Sequence, residues 1–258
     1  LWETNDTNAI RTPESVLYDA GRARIYVACM GQFGKPGDGY IALLSPSGAI
    51  QNKQFTAGLD DPKGMALSND VLWVADLTQL VCIDPRTGEV LKRIAVPGAT
   101  FLNDVTADRD GNIYVSDTRS NRIHKISPAG VPAIWAAADS LGGPNGVFAL
   151  QNQLYLASAG AGIFSVWDAA SAIRKQVLAK GMPRADGIVY LDPHNGFIVS
   201  TWTGIVYHIS PNGGQVQLLD LAKVKKNTAD IDWIPQAGTL LIPTFFGHSV
   251  AAYKVEGL

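Results

Sequence analysis

Two carboxylates and two carboxamides, Glu14, Asp186, Asn103 and Asn145, stand at matched places in a short segment that recurs along the chain. The copies are Pro13-Glu14-Ser15-Val16, Pro62-Lys63-Gly64-Met65, Leu102-Asn103-Asp104-Val105, Pro144-Asn145-Gly146-Val147, Ala185-Asp186-Gly187-Ile188 and Ala229-Asp230-Ile231. If these positions converge, they form an oxygen-rich cage suited to a hard divalent cation such as calcium. Such an ion takes roughly six to eight oxygens at about 2.3–2.6 Å, with water completing the shell. Lys63 and Ala229 fill the remaining places of the ring, and Asp104 and Asp230 lie one step along. No Cys or His falls in the ring, which argues against zinc or copper.

Convergence needs a scaffold that repeats. Positions 15, 64, 104, 146, 187 and 230 are 49, 40, 42, 41 and 43 residues apart. Periods of about 40–50 residues with several strands per unit are the signature of propeller blades. The third unit reads VTAD, a DRDGN turn, NIYVSD, a TRSN turn, RIHKIS, an SPAG turn and VPAIWA. Asp110-Gly111 between alternating runs is a hairpin signal, because a tight turn wants residues that tolerate positive φ. The other units follow the same scheme, and even Ala169 to Leu178 suits a hairpin slot better than a helix. The last unit holds only three strands, so Leu1-Trp2-Glu3-Thr4 is expected to supply the fourth and close the ring. The expectation is an all-β, six-bladed β-propeller occupying residues 1–258 as one domain. Each blade's innermost strand then runs along the channel, and the residues just before it meet at one mouth.

The segments PESVLYD (13–19), FLNDVTADRDGNIYVSD (101–117), GPNGV (143–147) and ADGIVYLD (185–192) resemble the gluconolactonase/senescence-marker-protein superfamily of calcium-dependent six-bladed propellers. That group has paraoxonase-like and strictosidine-synthase-like relatives. The resemblance implies that Glu14, Asn145 and Asp186 bind a divalent metal, with Asn103 at the metal or substrate edge. It also implies a lactone or ester hydrolase acting on a small molecule. One departure stands out: the pattern commonly has Arg two residues before the Asn of the ND pair, and here that position is Phe101. A less polar substrate than a sugar-acid lactone follows.

Each of these residues has a plainer reading. Glu14 could be a solvated turn residue, and Asn145-Gly146 and Asp186-Gly187 could be turn chemistry, although neither pair joins two strands of a hairpin. Asp104 reads better as a capping Asx turn. Asp76 and Asp117 end equivalent strands and are read as ties to loop N–H groups. Lys63 neutralises a carboxylate, holds an anionic substrate, or points to solvent. His124 and His208 alternate with apolar neighbours inside blades. His248, in the Phe245-Phe246-Gly247-His248 loop, is expected to open onto the same mouth, within reach of substrate and of proton transfer. An insertion at 31–39 lengthens the first unit, as a lid or as a tolerated surface loop. Phe33 within it, and Trp202, could line an apolar pocket.

The remaining composition narrows the class. Hydrophobic residues make up 47% and charged residues 17%, which is enough apolar surface for a large core. A net charge of -2 and no basic stripe exclude a nucleic-acid partner. No apolar run approaches the ~18 residues of a membrane span. Cys29 and Cys82 lack metal or redox spacing and read as buried small side chains. A first residue of Leu rather than Met is compatible with a removed signal peptide and a secreted or periplasmic protein. A monomer is expected. The functional expectation is a calcium-dependent lactonase or esterase with Asp186 as the catalytic carboxylate and Asn103 positioning substrate. The alternative is a metal-stabilised propeller that binds a ligand or protein partner without turnover.

Overall fold

The computed structural model describes residues 1–32 and 34–257, and the architecture is the expected one: six four-stranded antiparallel sheets. Five sheets take their strands in sequence order, and the sixth combines Asp232–Ile234, Thr239–Thr244 and Ser249–Lys254 with Trp2–Glu3. Trp2 pairs with Ala252 and Glu3 with Ala251, so the chain's start closes the last blade. The innermost strands, Pro13–Asp19, Pro62–Ser68, Leu102–Ala107, Pro144–Leu150, Ala185–Asp192 and Asp232–Ile234, contact one another in a closed circle. Ser15 also bridges Asp230 in parallel, joining the sixth blade to the first.

Strands buried on both faces lose the alternation of a half-exposed sheet, which explains why these runs read as apolar throughout. In the strand Arg24–Cys29, Ile25, Val27 and Cys29 pack towards the sixth blade, while Tyr26 and Ala28 pack towards the second. The core is accordingly six apolar clusters, one at each junction between neighbouring blades. Cys29 and Cys82 belong to different clusters and are free thiols, pushed up by burial to about 12 and about 11. The outermost strands, such as Gln215–Asp220, face water and carry the polar residues. Among the described residues no helix is long and apolar enough to cross a membrane.

One irregularity repeats where it matters. In the second to fifth blades the innermost strand advances three residues while its partner advances two, as between Pro144–Val147 and Ser158–Leu156. In the first blade the same slip falls at Glu14. A β-bulge leaves its extra residue out of the ladder and re-aims a side chain. Lys63, Asn103, Asn145 and Asp186 all sit within these bulges, as Glu14 does in its own.

Candidate metal and ligand site

The bulges solve one problem and create another, since a residue out of the ladder loses its backbone partner. Serines on the second strand restore it in two blades. Ser116 Oγ accepts from Asp104 N at 2.9 Å and donates to the carbonyl of Asn145 at 2.6 Å. Ser200 Oγ likewise accepts from Gly187 N at 2.9 Å and donates to the carbonyl of Ala229 at 2.8 Å. Each hydroxyl thus staples its own bulge to the next blade. The glycines of the segments have a packing reason rather than a turn reason. A Cβ on Gly146 would collide with the Asp186 carbonyl, and one on Gly187 would come within 2.6 Å of Asp230 Oδ1.

Asp76 and Asp117 brace the site from behind. Asp76 Oδ1 accepts from the backbone N–H groups of Asp60 and Asp61 at 2.9 and 2.8 Å. Asp117 accepts from Thr100 N at 2.8 Å and Phe101 N at 3.0 Å. These are mainly the N–H groups of the loop entering the innermost strand, not the loop that follows. Asp117 therefore fixes the backbone of Phe101, and Asp61 offers its carbonyl to Lys63 Nζ at 3.1 Å.

Glu14, Lys63, Phe101, Asn103, Asn145, Asp186 and Trp202 all line one cavity of about 730 Å³. Its deep end is polar and buried: Glu14 is 5% exposed, Asp186 2% and Lys63 2%. Asn103 Nδ2 donates to Thr118 Oγ1 at 3.1 Å, and Thr118 Oγ1 in turn donates to the Pro144 carbonyl at 2.8 Å. That orientation turns Asn103 Oδ1 away from Thr118, and among the described residues no hydrogen bond to it is formed. Among the described residues Glu14 Oε2 and Asn145 Oδ1 are buried and have no hydrogen-bond partner.

The electrostatics are correspondingly unbalanced. Burial first, then the Asp186 carboxylate, pushes Glu14 well above the usual carboxylate range, with Lys63 pulling the other way. Burial and the charge of Asp230 push Asp186 well above it too, against the pull of the Asn145 amide. Burial lowers Lys63, while Glu14 and Asp61 favour its charged form. Asp104 and Asp230 add two more buried carboxylates, whose charges push Glu14 further up. Asp104 is satisfied by Val105 N and Val147 N, each at 2.7 Å, which makes it a strut between blades.

A hard cation fits this set. It would discharge the mutual repulsion of Glu14 and Asp186 and occupy the orphaned oxygens of Glu14 and Asn145, tasks the protein leaves undone. Among the described residues no three His, Cys, Asp or Glu side chains are grouped to hold a metal ion. The donor set is instead two carboxylates with two carboxamides, a combination for calcium-like rather than zinc-like chemistry.

Two expectations need correcting or limiting. His248 is not among the residues that line the cavity; its Nδ1 accepts from Thr12 N at 2.9 Å. Phe245 and Phe246 of the same loop do line the cavity, and His248 follows them at positive φ. Phe33 lies outside the described residues. The rest of the 31–39 insertion is pinned to the second blade, with Gly37 N donating to Asp60 Oδ1 at 3.0 Å. Sequence reasoning missed Met30, Thr118, Arg119, Ala159 and Arg184 as lining residues, and it placed the 245–248 loop at the mouth without singling out Phe245 and Phe246. Arg119 stacks on Phe101, its Cζ 4.1 Å from the ring centroid, and Lys63 Nζ lies 4.3 Å from the same centroid. Trp202 packs edge-on against Phe245 at 4.8 Å, forming an aromatic wall with Phe246.

Neither any protein-family model nor any curated protein sequence matches the chain. Solved structures do. A candidate gluconolactonase determined by the Northeast Structural Genomics Consortium aligns with TM-score 0.75 and 16% identity, covering 98% of this chain and 92% of that one. A catalytically inactive virginiamycin B lyase from Staphylococcus aureus, determined with quinupristin, aligns with TM-score 0.66 and 13% identity over 98% of both chains. At these identities the likeness is one of fold, and one of the two neighbours carries the name of the group that the segments at 13–19, 101–117, 143–147 and 185–192 resemble.

Proposed function

We propose that the chain is a calcium-dependent hydrolase of a small lactone or ester, with its active site in the cavity lined by Glu14, Asn103, Asn145 and Asp186. The observation that carries this reading is the set of buried oxygens left without partners at bulged positions of four different blades. Glu14, Asn145 and Asp186 hold the ion, with Asn103 completing the set or contacting substrate. A bound divalent cation supplies polarisation of an acyl carbonyl and stabilisation of the charge that grows on its oxygen.

The chain's own groups supply the rest. Asp186, one of the residues that would hold the ion, accepts a proton from the attacking water. Asn103, oriented through Thr118, positions the acyl group. Phe101, Trp202 and Phe245 offer apolar walls that exclude water and suit a substrate less polar than a sugar-acid lactone. Both fold neighbours are named for enzymes, one a gluconolactonase and one a lyase, which supports a catalytic use of this architecture without fixing the reaction.

A second reading has an observation of its own. No histidine or tyrosine is among the described residues that line the cavity, so protonation of a leaving alkoxide is left to Lys63 or to the proton that Asp186 has taken up. That favours a metal-stabilised binding propeller. A panel of aryl esters and aliphatic lactones, assayed with calcium and with chelator, separates the two. The hydrolase reading expects chelator-sensitive turnover, products heavier by one water, and a loss of about 10²–10⁴-fold in kcat for Asp186→Asn. Full activity of Asp186→Asn in calcium buffer contradicts the mechanism. Products that have not gained water indicate elimination instead. A calcium-dependent rise in melting temperature without turnover supports the binding module.

A further inference from the structure

The cavity's charge does not end with the cage. Arg119 follows the second strand of the third blade, Arg184 immediately precedes the innermost strand of the fifth, and both line the cavity. Among the described residues neither guanidinium has a carboxylate within ion-pair distance. Arg119 is held against Phe101 at 4.1 Å, a contact that orients the plane of the fork while leaving its N–H donors free. Arg184 is a non-glycine residue at φ 57°, a conformation that carries strain unless its surroundings fix it. Here its N–H donates to the Ala159 carbonyl and its own carbonyl accepts from Trp202 N, at 3.0 and 2.9 Å. Both side chains are exposed at the mouth, whereas Glu14, Asp186 and Lys63 are buried at depth.

The lining therefore carries three cations, Lys63, Arg119 and Arg184, against two carboxylates, Glu14 and Asp186. The net formal charge is plus one, and it becomes plus three when a divalent ion is held. A concave wall of one sign concentrates ions of the other. Beside the arginines stand Phe101, Trp202, Phe245 and Phe246, the last 69% exposed.

We propose that Arg119 and Arg184 form an anion subsite at the cavity mouth, selecting amphipathic carboxylates whose apolar body rests on Phe101 and the Trp202–Phe245–Phe246 wall. The subsite deepens the hydrolase reading by naming its substrate class, a lactone or ester bearing a free carboxylate, but the binding claim does not need the metal.

The test is direct binding by calorimetry of 4-phenylbutyrate and its uncharged amide, 4-phenylbutyramide. Wild type, Arg119→Gln, Arg184→Gln and the double variant are compared in chelator and again in calcium. In chelator the wild type binds the carboxylate about tenfold more tightly than the amide, as a charge-assisted contact at a screened position provides. Each single variant reduces that preference and the double variant abolishes it. All variants keep the unliganded melting temperature, because both side chains are exposed. Equal affinity for the two compounds, or no binding of either, overturns the subsite. So does a preference that appears only in calcium and survives in the double variant, which places the carboxylate on the metal. Arginine-dependent preference in chelator with no calcium effect on melting or turnover sustains the subsite and removes the hydrolase reading instead.

Discussion

Asp117 and Glu14 are both buried carboxylates on propeller strands, and the protein treats them in opposite ways. Asp117 receives Thr100 N, Thr100 Oγ1 and Phe101 N, and against the upward push of burial His124, Ser120 and Thr100 hold it below the usual carboxylate range. Glu14 has one oxygen with no partner at all and is pushed well above that range by burial and by Asp186. A buried acid that the backbone satisfies is a strut. One left unsatisfied among other acids is waiting for something the chain does not contain. The difference separates the two kinds of residue more sharply than burial does.

Substitutions can break that comparison. Glu14→Gln is expected to abolish calcium-dependent stabilisation and turnover while leaving the chelated protein folded, or even more stable, because a repelled charge is removed. Asp117→Ala should do the reverse. It strands the Thr100 and Phe101 N–H groups and costs about 2–4 kcal/mol in denaturant unfolding, with the calcium response kept in the fraction that folds. If both variants respond alike, the distinction between strut and ligand fails.

Gly146→Ala probes the close approach of the fourth and fifth blades. Its Cβ has no room against the Asp186 carbonyl, so a loss of about 1–3 kcal/mol is expected together with weaker calcium binding. An unchanged calcium titration would separate blade packing from the site. A smaller effect concerns pH. Burial holds Asp104 up to about 7, above its ordinary 3.8, so the folded chain binds a proton that the unfolded chain releases. That contribution is complete below about pH 4 and drains as pH rises through about 7. Melting of the chelated protein should therefore fall across this window, and saturating calcium should flatten the slope. The smallest effect is expected at His248. His248→Ala leaves Thr12 N without its acceptor and costs about 1 kcal/mol, with turnover unchanged. A bell-shaped rate profile that loses one limb in this variant would return His248 to the chemistry.

How much of this was legible before the coordinates depends on what each feature obeys. Blade number and closure by Trp2–Glu3 follow from repetition and from an unpaired last sheet, both written in the order of residues. Glu14, Lys63, Asn103, Asn145 and Asp186 were legible because equivalent positions in equivalent repeats must arrive at the same end of the channel. The 245–248 connection reaches the cavity as its counterpart 118–121 does, but through Phe245 and Phe246 rather than through His248, and residue types alone do not say which side chain of such a loop turns inward. Arg119 and Arg184 escaped notice for a related reason. They sit in connections whose lengths vary, where exposed arginines are ordinary until geometry places them around one cavity. Ser116 and Ser200 left a faint signal, each directly before the residue that pairs with the start of its blade's innermost strand.

The central claim, that four blades aim Glu14, Asn103, Asn145 and Asp186 at a common ion, is tested most directly by anomalous diffraction from crystals grown with calcium. The account predicts one strong peak at the deep end of the cavity, with the Glu14, Asp186 and Asn145 oxygens at about 2.3–2.6 Å. A cavity without such a peak, in which Lys63 reaches across to pair with Glu14, would contradict it.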